Sequence, residues 1–118
     1  MRISLGLVVL LAACVAASAQ AVPDAPAAPD ARNSAAKLAG LAGFVNMACT
    51  GIRTDTERLR SAVEALGVGM KDLEQGELRL RAQGYIDAYR KDPTASCERA
   101  QTMFGPTGTV IPGVFVAR

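Results

Sequence analysis

The chain has 118 residues, with 13 basic and 11 acidic side chains, a formal charge of +2 and no histidine. The lack of histidine excludes a histidine general base, a Ser-His or Cys-His nucleophile and a typical zinc site. Basic and acidic residues are interspersed, and no basic block is interleaved with aromatic residues, so nucleic acid is not expected as a partner. A Gly-rich phosphate loop is also missing. We therefore expect a non-enzymatic protein that holds no metal and no cofactor.

An apolar N-terminal stretch predicts export. Residues 3–13 form an apolar run that is too short to span a bilayer, and a small-x-small sequence follows at residues 17–19. This pattern is typical of a secretory signal peptide over residues 1–19, which makes the mature protein periplasmic or secreted in a bacterium, without a membrane partner. Residues 11–14 (LAAC) also resemble a lipobox. In that alternative Cys14 is lipidated, and the protein is a membrane-anchored lipoprotein.

Two cysteines, Cys49 and Cys97, remain once the leader is removed. In an oxidising compartment an even pair of this kind favours a disulfide bond. The alternative is a redox-active thiol pair, but the two residues lack the close C-x-x-C spacing that lowers the pKa of one thiol. We therefore predict a structural disulfide that closes a long loop and stabilises the fold by roughly 4 kcal/mol.

A segment rich in proline and alanine separates the leader from the folded part. Pro23, Pro26 and Pro29 recur every three residues among alanines and aspartates, with few large side chains to bury. This composition disfavours a helix and biases the backbone to polyproline II. We predict a disordered arm over residues 20–36 and one helical domain over residues 37–118, which is large enough for a single modest core.

Periodicity and capping signals predict four helices, the first of which begins near the junction of arm and domain. That helix, at about residues 35–50, carries an apolar stripe that includes Leu38 and Leu41. The second begins with a capping box, in which the Thr54 hydroxyl and the Glu57 carboxylate each accept from the other residue's backbone N–H. It ends at Gly67.

The second half of the domain is punctuated by glycines and one proline. Residues 67–76 are predicted to form a connector with a single helical turn. The third helix, at residues 77–91, contains Gly84, which is expected to allow close approach of a neighbouring helix. Asp92 as N-cap and Pro93 at the first helical position begin the fourth helix.

The C-terminal residues 105–118 do not have a helical pattern. Two short apolar groups flank the turn signal Pro112-Gly113. Two interpretations stay open: the segment is a strap that completes the core, or it is an exposed apolar strip that binds a partner. In the second case the partner-binding residues are Val110, Ile111, Val114, Phe115 and Val116.

These features together predict an all-α fold: a small bundle of about four helices stapled by one disulfide, with an extended apolar C-terminal strap. The layout of Cys49, Cys97 and the helices between them is similar to that of the HdeA-type acid-stress chaperones of the bacterial periplasm. The resemblance implies a protein that partly unfolds in acid and shields clients with exposed apolar surface. We expect a small exported envelope protein that binds an unidentified protein partner or acts as an accessory module; the alternative is a periplasmic stress chaperone.

Overall fold

The computed structural model describes residues 28–118. Four α-helices occur in this range, α1 (Pro29–Ala48), α2 (Thr56–Ala65), α3 (Gly76–Tyr89) and α4 (Pro93–Phe104). A 3₁₀ turn (Met70–Glu74) joins α2 to α3, and two short strands, β1 (Ile52–Thr54) and β2 (Phe115–Ala117), complete the elements. The predicted signal peptide, the lipobox alternative and residues 20–27 of the predicted arm lie outside the described residues.

The first helix begins at Pro29, earlier than the predicted start at residue 35. Residues 29–36, predicted as the last part of the arm, therefore belong to α1. Proline is well accepted at the first helical position, because its missing N–H has no intrahelical partner there and its φ suits the helix. Ala35 and Ala36 are fully buried, so packing against the domain holds this turn of the helix in place.

Helices α1 and α3 form the main packing contact of the domain, and Gly40 lies where they approach closely. A Cβ atom at Gly40 would lie 2.7 Å from both the Ala82 carbonyl oxygen and the Tyr85 Cβ. Gly84, which was predicted to serve this purpose, would have no atom within 4 Å of an added Cβ. The prediction is wrong because Gly84 faces solvent, and the helix that needs a glycine at the contact is α1.

The start of α2 differs from the predicted capping box. Asp55 is the N-cap, and its Oδ1 accepts the Arg58 backbone N–H at 3.2 Å. Thr54 belongs to β1 instead; its backbone N–H donates to Asn46 Oδ1 at 3.0 Å. The carboxylate of Glu57 pairs with Arg60 at 2.8 Å rather than reaching back to the cap. Strand pairing therefore overrides the local capping signal.

The beginning of α4 follows the sequence prediction. Asp92 is the N-cap, its Oδ1 accepts the Ala95 backbone N–H at 3.2 Å, and Pro93 occupies the first helical turn. The predicted connector is also confirmed, since it contains the 3₁₀ turn, in which Leu73 is buried. Both features depend on neighbouring residues alone, which is why a local pattern predicts them.

The fold is mostly helical, but it is not strictly all-α. Strand β2 pairs antiparallel with β1, in a register that places Ile52 opposite Ala117 and Thr54 opposite Phe115. The Arg118 guanidinium extends this contact by donating from Nε to the Ile52 carbonyl at 2.9 Å. The predicted strap thus ends as a strand. Its partner lies more than half the chain away in sequence, so no short-range pattern indicates the pairing.

One disulfide joins Cys49, the C-cap of α1, to Cys97 on α4, with the two Cα atoms 5.8 Å apart. The predicted pairing is confirmed. It ties the two helices together beside the short sheet, at one side of a core whose largest fully buried side chains come from α1, α2 and the C-terminal segment: Phe44, Val45, Val63, Val114 and Phe115.

Candidate binding groove

An apolar groove of about 540 Å³ opens where α1, α4 and the C-terminal strap (residues 105–118) meet. Leu66, the C-cap of α2, and Tyr89, the last residue of α3, also line it. We call it the strap groove, and define it by its lining residues: Ser34, Lys37, Leu38, Leu41, Leu66, Tyr89, Arg99, Met103, Phe104, Val110 and Ile111. Its volume falls within the range of about 300–1,000 Å³ that is usual for ligand pockets.

Backbone hydrogen bonds hold the strap against the C-terminal end of α4. The Met103 carbonyl accepts the N–H groups of both Val110, at 3.0 Å, and Ile111, at 3.2 Å. Gly108 makes this close turn possible, because a Cβ there would lie 2.5 Å from the same Met103 carbonyl oxygen. The part of the strap that lines the groove is therefore held by backbone hydrogen bonds as well as by side-chain packing.

The structure divides the five residues that were singled out as partner-binding. Val114 and Phe115 are fully buried, and Phe115 meets Phe104 edge to face at a centroid distance of 6.1 Å. These two side chains form core and present no surface in this conformation. Val116 is half-buried in β2, beside a separate shallow depression near Arg58. Only Val110 and Ile111 reach the strap groove.

Val110 is the exposed member of this pair. Its side chain is 56% exposed, although it stands among apolar neighbours at the groove edge. Ile111 is half-buried and packs against the core. The end of the strap therefore completes the core, as the first interpretation predicts, and its beginning leaves apolar surface accessible; that this surface binds a partner stays a prediction.

Two cations line the groove, and no pattern in the sequence connects them with it. Lys37 comes from α1 and Arg99 from α4; both are exposed. Among the described residues that line the groove, none is acidic. The ion pairs found in residues 28–118 join Arg60 to Glu57 and Arg81 to Glu77, so neither groove cation is neutralised by an ion pair within that range.

Tyr89 is a buried residue that brings a polar group to the groove lining. Burial raises the pKa of its phenol, the neighbouring Tyr85 adds to this effect, and Arg99 opposes it. The phenol therefore stays protonated at neutral pH and can donate a hydrogen bond. The groove thus combines apolar side chains with the hydroxyl groups of Ser34 and Tyr89 and the two cations Lys37 and Arg99.

Within residues 28–118, the lining of the groove does not combine the parts of a hydrolytic or metal centre. In that range the lining hydroxyl groups are those of Ser34 and Tyr89, and no histidine or carboxylate lines the groove beside them. Within the described range, three or more His, Cys, Asp or Glu side chains are nowhere grouped as metal ligands. What this arrangement can do is bind: it can bury an apolar surface and attract neighbouring negative charge.

The sequence contains a partial signal for this groove. Leu38 and Leu41 are predicted as part of one apolar stripe, and Phe104 directly precedes the non-helical residues 105–118. Tyr89, Arg99 and Met103 carry no pattern that associates them with the strap, because they come together only when α3 and α4 pack beside α1.

Across residues 28–118, no helix is both long and apolar enough to cross a bilayer. Comparison with protein-family models, with curated proteins and with solved structures finds no match to this chain.

Proposed function

We propose that this protein is a small, exported, non-enzymatic binding module of the bacterial envelope, and that it holds a segment of another protein in the strap groove. The proposal is carried by Val110, whose side chain is exposed although it lines an apolar groove. Its backbone N–H donates a hydrogen bond to the Met103 carbonyl, which holds the residue in this position. Val110 is 56% exposed, so a partner that covers it completely removes about half of a valine side chain from water, which gains about 1 kcal/mol.

Preorganisation supports the same proposal. Binding sites lose less conformational entropy when their walls are already ordered. Here the strap is hydrogen-bonded to the carbonyls of Thr102 and Met103 on α4. The disulfide joins α4 to α1, so the strap and the two helices that line the groove are connected to one another. Met103, with its flexible thioether side chain, can adjust to the surface of an incoming apolar group.

A site-specific photocrosslinker tests this function. In one variant it replaces Val110, and in a matched variant it replaces Leu80, which is 73% exposed on α3 and does not line the strap groove. Both are expressed in the native host and irradiated in intact cells. We expect a discrete adduct of the same mass in replicate experiments from position 110 and none from position 80. Equal labelling from both positions, or none from either, would contradict a binding role for the groove.

Export is the second part of the proposal, and the intact mass of the protein from its host tests it. A mass that begins at Gln20, with Cys49 and Cys97 blocked to alkylation until reduction, supports a periplasmic or secreted protein without a membrane partner. A lipidated form that begins at Cys14 would instead make it a membrane-anchored lipoprotein. A mass that retains residues 1–19 without lipid would contradict export by either route.

The stress-chaperone alternative stays a proposal with less support. Acid unfolding requires native contacts that are lost when carboxylates are protonated. The two ion pairs within the described residues, Arg60 with Glu57 and Arg81 with Glu77, are exposed and each lies within a single helix. Pairs of this kind contribute only about 0.3–0.5 kcal/mol each. A rise in apolar-dye fluorescence between pH 7 and pH 2 would support the alternative, and an unchanged signal would count against it.

A further inference from the structure

The strap groove has the length of two helical turns. On one side it is lined by residues 34–41 of α1, which span about 10 Å of helix. Residues 99–104 of α4, together with Val110 and Ile111, line the other side. An amphipathic helix that lies in such a groove inserts apolar side chains at positions i, i+3 or i+4, and i+7, which is also two turns.

The two cations come from the two different helices, α1 and α4, that line this groove. Lys37 belongs to the α1 side, and Arg99 belongs to the α4 side. A helix lying between them would place one flank of its apolar stripe beside each cation. Acidic side chains on both flanks would find a partner of opposite charge, whereas basic side chains would meet like charge on both sides.

We propose that the strap groove binds an amphipathic helix of a partner protein whose apolar stripe has acidic residues on both flanks. This inference rests on the function proposed above and specifies the chemistry of the partner. A second copy of this chain fits less well, because its own groove would bring Lys37 and Arg99 against the same two cations. A fatty acid has a single carboxylate and would satisfy only one side.

Two synthetic peptides test the charge requirement. Both are 16-residue helices with leucines at positions 5, 8, 9 and 12; one has glutamates flanking the leucine stripe on both sides, and the other has lysines at the same positions. Binding to the full exported chain, with its disulfide intact, is measured by fluorescence anisotropy and mapped by amide chemical shifts. We expect the glutamate peptide to bind roughly tenfold more tightly at 50 mM salt, with the ratio falling at 500 mM salt.

Charge reversal in the protein provides the matched control. The double variant Lys37→Glu, Arg99→Glu should bind the lysine peptide more tightly than the glutamate peptide. The control double variant Lys71→Glu, Arg79→Glu changes the net charge equally, at exposed positions that do not line the groove. It should keep the preference for glutamate to within about twofold. A reversal in both variants would show that net charge alone sets the preference, and would overturn the inference.

The remaining outcomes separate this inference from the proposed function. If both peptides bind equally at the groove, the acidic requirement is wrong and the binding function stands. If neither binds while the crosslink from position 110 persists, the groove holds a partner other than a helix. If neither binds and the crosslink is missing, both proposals fall. If dodecanoate displaces the glutamate peptide and binds more tightly than it, the groove is a site for single-chain amphiphiles and the inference is overturned.

Discussion

The contact between α1 and α3 predicts opposite effects for the same substitution at two glycines. In the middle of a helix, alanine is more favourable than glycine by about 1 kcal/mol, because glycine loses more backbone entropy on folding. At Gly84 an added Cβ meets nothing within 4 Å, so this gain should appear in full. At Gly40 the added Cβ would lie 2.7 Å from the Ala82 carbonyl oxygen and from the Tyr85 Cβ.

Neither of these two atoms is at the end of a flexible side chain, so α1 and α3 must separate to accept the methyl group of Gly40→Ala. Overpacking of this kind typically costs about 1–3 kcal/mol. Since both atoms are fixed by the backbone of α3, the upper part of that range applies. After subtraction of the gain in helix propensity, Gly40→Ala should lower the free energy of unfolding by about 1–2 kcal/mol.

Thermal unfolding followed by circular dichroism at 222 nm measures both variants against the parent protein. For a domain of this size, 1 kcal/mol corresponds to about 4–8 °C in Tm. Gly84→Ala should therefore raise Tm by about that amount, and Gly40→Ala should lower it by about 4–16 °C. Gly43→Ala should lie between them, because the nearest atom to its added Cβ, at 3.0 Å, is the mobile Cδ1 of Ile86. An equal rise in Tm at Gly40 and Gly84 would refute the close approach of the two helices.

Three further predictions concern the strap, the disulfide and the buried phenol. Phe115→Ala should lower the free energy of unfolding by about 3–5 kcal/mol because it empties a fully buried site, whereas Val110→Ala should change it by less than about 0.5 kcal/mol. If urea unfolding shows an equal loss of stability for Phe115→Ala and Val110→Ala, both ends of the strap belong to the core. Cys49 and Cys97 are 48 residues apart in sequence, and replacing both with serine removes the disulfide that closes this loop. The double variant should lose up to roughly 4 kcal/mol in the free energy of unfolding. An unchanged urea midpoint would contradict a stabilising role of the disulfide. Burial raises the pKa of Tyr89 above its usual value of 10.0, so its contribution to stability is fully present below that pH and is lost as pH rises through the folded-state pKa. The urea midpoint should therefore fall more steeply above pH 10 in the parent protein than in Tyr89→Phe, and parallel curves would show that the phenol does not contribute.

Local signals predicted the elements whose chemistry is complete within a few residues. The beginning of α4 is one example, because the cap at Asp92 needs only the backbone N–H of Ala95, and Pro93 favours the first turn by its own geometry. Competing local signals were harder to separate. Thr54 and Asp55 can both cap a helix, and the strand contact between Thr54 and Phe115 decides in favour of Asp55.

The sequence by itself determined the predominance of helix, the pairing of Cys49 with Cys97, and an apolar C-terminal segment that does not continue the last helix. Only the tertiary structure decided how that segment is used. Val114 and Phe115 are buried because β2 pairs with β1, while Val110 is exposed because the chain turns back over α4 before it reaches the sheet. The strap groove likewise depends on contacts between residues far apart in the chain, and a periodic pattern within one segment carries no information about which other segment will pack against it.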